Sequence, residues 1–67
     1  MSETQTGVLA LVASLRDSQS QGGRLGFRHG CFMAHGAGVT WQDIASYLGT
    51  TPAALRRRLD AILEECR

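Results

Sequence analysis

Val39-Thr40-Trp41-Gln42-Asp43-Ile44-Ala45-Ser46-Tyr47-Leu48-Gly49-Thr50-Thr51-Pro52-Ala53-Ala54-Leu55-Arg56-Arg57-Arg58-Leu59 contains two helix starts and one helix stop. Thr40 offers an N-cap oxygen, and Asp43 stands at the third helical position, where a capping box usually has Glu or Gln. At 100° per residue, Trp41, Ile44, Ala45 and Leu48 fall on one face, with Gln42, Asp43 and Ser46 on the other. Gly49 ends the run. Thr51 then supplies a second N-cap oxygen, and Pro52 takes the first helical position, where its missing N–H costs nothing. The spacing predicts helices over 40–48 and 52–66, joined by a short glycine turn.

The second helix continues well past this stretch. Leu55, Leu59, Ile62, Leu63 and Cys66 repeat at i, i+4, i+7, i+8 and i+11, an apolar stripe running to the end of the chain. Upstream, Leu25, Phe27, Phe32 and Met33 give 24–35 enough apolar bulk for a helix, although Gly26 and Gly30 each weaken it by about 1 kcal/mol relative to alanine. Gly36 suits a left-handed cap after it. Residues 18–23 are polar and end in Gly22-Gly23, the composition of a flexible loop. Val8, Leu11, Val12 and Leu15 mark a further amphipathic helix over 7–17, capped by Thr4 or Thr6. Residues 1–6 lack periodicity and read as a disordered end.

These elements make one all-α domain over 1–67, a compact bundle of about four helices. Its 67 residues limit a single apolar core to a net stability of about 3 to 5 kcal/mol. The formal charge is +1 and all seven basic residues are arginine, so the distribution of charge matters more than its sum. Between Gly22 and Arg58 stand Arg24, Arg28, Arg56, Arg57 and Arg58 against one acid, Asp43. Two cysteines, with no leader and no apolar run of membrane-spanning length, read as a reduced cytoplasmic protein with no membrane partner.

The 36–63 segment resembles the helix-turn-helix superfamily of small bacterial or phage DNA-binding regulators, and in particular sigma-factor region-four-like tri-helical readers. Ala45 stands at the family's small helix-contact position and Gly49 at its turn glycine. Ile44, Leu48, Leu55 and Leu59 match its buried positions, and Trp41 joins them in the motif core by its place on the wheel. Thr50 departs from a usually apolar position, and Arg58 from one that is usually small or apolar.

The resemblance implies a sequence-specific, double-stranded DNA-binding transcriptional regulator, such as a repressor, with its second motif helix in the major groove. Arg57 points furthest from the apolar stripe and is the first candidate for a bidentate contact to guanine, with Arg56 second. Thr51 and Ala53 would meet bases at the helix start. Thr40, Gln42, Arg58, Arg24 and Arg28 are the candidates for phosphate contacts, which position without reading sequence. One module of this size makes a small interface, so a homodimer on paired half-sites is expected. The apolar residues in excess of the tri-helical core, namely Val8, Leu11, Val12, Leu15, Ile62, Leu63 and Cys66, are the candidate dimer face.

The alternative is a helical adaptor that binds a protein such as polymerase or another regulator without reading DNA. His29, Cys31, His35 and Cys66 do not follow any paired-ligand zinc spacing. No nucleophile and base can be placed together, and no phosphate-cradling loop precedes a helix. The expectation is a non-enzyme with no cofactor, no metal and no small-molecule substrate.

Overall fold

The computed structural model describes residues 2–66, and among them every regular element is helical: α1 (Glu3–Leu15), α2 (Gln21–Gly36), α3 (Trp41–Tyr47) and α4 (Pro52–Glu65). The all-α, four-helix architecture is as the periodicity predicts. The boundaries of the first two helices are not.

The expected disordered end is helical from Glu3, while its first residue, Met1, lies outside the described residues. Ser2 caps α1 in a reciprocal box: its hydroxyl accepts from the Gln5 N–H at 3.2 Å, and the Gln5 side chain accepts from the Ser2 N–H at 3.0 Å. The Gln5 amide also donates to the Ala37 carbonyl at 2.7 Å, tying the start of α1 to the end of α2. Neither Thr4 nor Thr6 caps the helix.

The expected loop over 18–23 is shorter in fact. Ser20 caps α2 by accepting from the Gly23 N–H at 3.0 Å, which draws both glycines into the first helical turn. α2 is continuous despite Gly26 and Gly30 because these are where α1 comes close. A β-carbon at Gly30 would lie 2.6 Å from Val12 Cγ2, and one at Gly26 would lie 3.1 Å from Leu15 Cδ1. Close helix packing thus compensates a poor helix former, a tertiary effect that local propensity cannot register.

α2 and α3 end in the same way. The Val39 N–H bonds the Ala34 carbonyl at 3.1 Å and the Gly38 N–H bonds His35 at 3.0 Å; the Thr50 N–H bonds Ala45 at 2.9 Å and the Gly49 N–H bonds Ser46 at 3.1 Å. Both are Schellman closures around a left-handed glycine, with φ of 102° at Gly38 and 74° at Gly49. Gly36, expected at the left-handed position, is instead the last helical residue of α2. Val39, just past the first closure, folds back into the core.

That core takes Leu9 and Val12 from α1, Phe27, Cys31 and Ala34 from α2, and Val39 from the connection. Ile44, Ala45 and Leu48 come from α3, and Leu55, Leu59 and Ile62 from α4. No helix is long and apolar enough to cross a membrane.

Candidate nucleic-acid interface

α3, the turn Leu48-Gly49-Thr50-Thr51 and α4 form the helix pair on which the candidate site rests. Thr40 caps α3 by accepting from the Asp43 N–H at 3.1 Å, and Thr51 caps α4 by accepting from the Ala54 N–H at 3.2 Å. Ile44, Ala45, Leu48, Leu55 and Leu59 are buried, the positions expected for the motif core. Trp41 is only partly buried: it stacks on His35 at 4.6 Å between ring centroids and meets the edge of Phe32 at 5.3 Å.

The first two turns of α4 present Thr51, Ala53, Ala54, Arg56 and Arg57 to solvent. Arg56 and Arg57 have no ion pair or side-chain hydrogen bond among the described residues. The charges along α4 are unevenly distributed. A helix is stabilised by acids near its N-terminus and bases near its C-terminus, yet α4 has no acid in its first turn and no base in its last. The order along it is Arg56, Arg57, Arg58, then Asp60, Glu64, Glu65.

Of the nine residues expected at phosphates or bases on sequence grounds, six are exposed: Thr40, Gln42, Thr51 and Ala53 as well as Arg56 and Arg57. The Gln42 side chain only reaches Ser46, at 3.5 Å. Arg58 does not belong with them. Its guanidinium lies 4.3 Å above the Phe27 ring and donates to the Arg16 carbonyl, so it is a strut inside the fold rather than a phosphate contact.

Arg24 is held by Glu65, at the opposite end of α4 from Arg56, a separation of about 13 Å along the helix. Arg28 lies over the Phe32 ring at 4.8 Å, and its Nε is buried without a hydrogen-bond partner in the described structure. Arg24 is thus tied to the end of α4 away from Arg56 and Arg57. Tyr47, which the sequence reading passed over, is 47% exposed at the end of α3 and offers a hydroxyl next to the turn.

The expected dimer face is largely used up inside the domain. Val12 and Ile62 are core, and Val8, Leu15 and Cys66 pack against it. Of that set only Leu11 and Leu63 are exposed. A further group of exposed apolar side chains lies on α2, at Leu25, Phe32 and Met33.

The groups weighed as metal ligands are dispersed. Cys31 is fully buried, His35 bonds the Val39 carbonyl through Nδ1 at 3.1 Å, and His29 is exposed. Among the described residues no group of three His, Cys, Asp or Glu side chains is arranged to hold a metal ion. Arg16, Arg24 and Arg58 do converge on a cleft at the far end of α4, but each is engaged within the chain, Arg16 by the Leu48 carbonyl at 3.3 Å. No family model, curated protein or solved structure gives a significant match to the chain.

Proposed function

We propose that this chain is a double-stranded DNA-binding transcriptional regulator that lays the N-terminal half of α4 in the major groove and works as a pair of copies on paired half-sites. One observation carries the reading. Arg56 and Arg57 project, unpartnered among the described residues, from the exposed face of the N-terminal half of α4; a polyanionic partner supplies the counter-charge. The short α3, the left-handed Gly49 and the capped start of α4 support it, because together they hold a helix N-terminus clear of the domain.

Within the reading Arg57 takes the guanine edge, Arg56 the neighbouring base or phosphate, and Thr51 and Ala53 the bases at the helix start. Thr40, Gln42 and Tyr47 flank them as phosphate contacts. Arg58, Arg24 and Arg28 have no part in it. Backbone amide shifts on titration with a duplex of mixed sequence test the placement. Shifts concentrated at 40–42 and 47–57 are expected, and shifts concentrated on α2 instead would favour docking to a protein.

A further inference from the structure

We propose that the outer face of α2 is a homodimer interface, pairing antiparallel with the same face of a second copy. Gly22, Leu25, His29, Phe32, Met33 and Gly36 are all exposed and share one side of the helix, opposite Phe27 and Ala34 in the core. None carries a formal charge at neutral pH. The exposed side of α4, by contrast, carries Arg56, Arg57, Asp60 and Glu64.

A second copy is the occupant because the face matches itself. Leu25 and Met33 stand the same distance before and after His29, and so do Gly22 and Gly36. A two-fold axis through His29 therefore sets Leu25 against the second copy's Met33, Gly22 against its Gly36, and His29 against itself. The two glycines have no packing role inside the domain: a β-carbon at either would meet nothing within 4 Å. Across the two-fold they let the ends of the paired helices approach closely.

Charge and area agree with that occupant. α2 has no acidic residue and the six stripe residues are uncharged; the Arg28 guanidinium, 4.8 Å over the Phe32 ring, borders the stripe at its edge. The stripe runs about 21 Å along the helix, and its pairing would cover roughly 500 Å² per copy. That is about an eighth of the 4181 Å² surface. Such an interface belongs to the weak, transient class, below about 1,200 Å² in total, so the pair forms at high concentration or when DNA holds both copies.

The DNA reading calls for a pair, but self-association is measured with no DNA present, so either idea can fail alone. Sedimentation equilibrium of the full chain, from about 10 µM to about 1 mM, should show a monomer passing to a dimer. Leu25→Gln combined with Met33→Gln should hold it monomeric; these side chains are already 41% and 51% exposed, and an unchanged thermal midpoint confirms that the fold survives. In a Cys66→Ser background, His29→Cys should cross-link to itself under mild oxidation roughly tenfold faster than Leu63→Cys on exposed α4. A monomer at every concentration overturns the proposal. So does undiminished association of the double variant, or equal cross-linking at the two positions.

Discussion

Arg58 spans from α4 across the Phe27 ring, 4.3 Å from its centroid, to the carbonyl of Arg16 at the end of α1. One side chain thereby joins three helices, and Arg16 extends the chain of contacts to a fourth by donating to the Leu48 carbonyl. A partly desolvated cation over a ring and a charge-assisted hydrogen bond together contribute about 2 to 3 kcal/mol. Arg58→Ala should lose that much in urea unfolding, most of what a domain this small possesses. Arg58→Lys should recover less than half, because an ammonium keeps the charge but not the planar stack.

Gly30 sits where α1 and α2 touch. Gly30→Ala would place a methyl 2.6 Å from Val12 Cγ2, and valine has one favoured rotamer and little room to yield. A loss of about 1 to 3 kcal/mol is expected. Gly22→Ala, which meets nothing, should instead stabilise the monomer by about 0.5 kcal/mol, since alanine is the better helix former. Thermal melts of the two variants should move in opposite directions.

Burial pushes the Cys31 thiol up from 9.0 to about 11, with the nearby Arg58 charge offsetting part of the rise. Below pH 9.0 the thiol is neutral whether the chain is folded or not. As pH rises from 9.0 towards about 11, only the unfolded chain loses the proton, so stability falls by about 1.4 kcal/mol per pKa unit of difference. Cys31→Ala should remove that part of the alkaline slope. With a thiol-disulfide reagent at pH 8, partly exposed Cys66 should react first, and buried Cys31 only as the domain opens.

At Gly49 the backbone has a φ of 74°, and a β-carbon there has space but not the conformation. Gly49→Ala should cost about 1 kcal/mol and Gly49→Asn less. Both act at the turn that sets α3 against α4, so a loss of DNA affinity larger than the loss of stability would tie the turn angle to function.

The parts of this fold legible in the sequence were those decided within a few residues. The Thr40 and Thr51 caps, Pro52 at a first helical position and the Gly49 stop all act locally, and the structure has them where the spacing predicts. Ser2 and Gln5 make an equally local box, but next to a polar end it reads as noise. α2 was harder because Gly22, Gly23, Gly26 and Gly30 argue against a helix until α1 is packed on it.

The buried stripe of α1 is rotated slightly from the one its spacing predicts. Its buried line runs through Leu9 and Val12, so Leu11, expected on the stripe, faces solvent. Arg58 was beyond local reading altogether, since its acceptor is 42 residues away. Arg56 and Arg57 differ from it only in rotation about α4, which the apolar stripe from Leu55 to Ile62 already fixes. The face left over for a partner, on α2, became visible only once the other stripes had found their places in the core.

Fluorescence anisotropy of a labelled mixed-sequence duplex, titrated with the chain at about 50 and about 200 mM salt, tests the DNA reading most directly. Binding should weaken roughly a hundredfold between the two, as release of about four counterions requires. Arg56→Ala with Arg57→Ala should remove most of the affinity and flatten the salt slope, while Arg24→Ala changes neither. No binding at the lower salt, or binding that the double variant leaves intact, would contradict a major-groove role for α4.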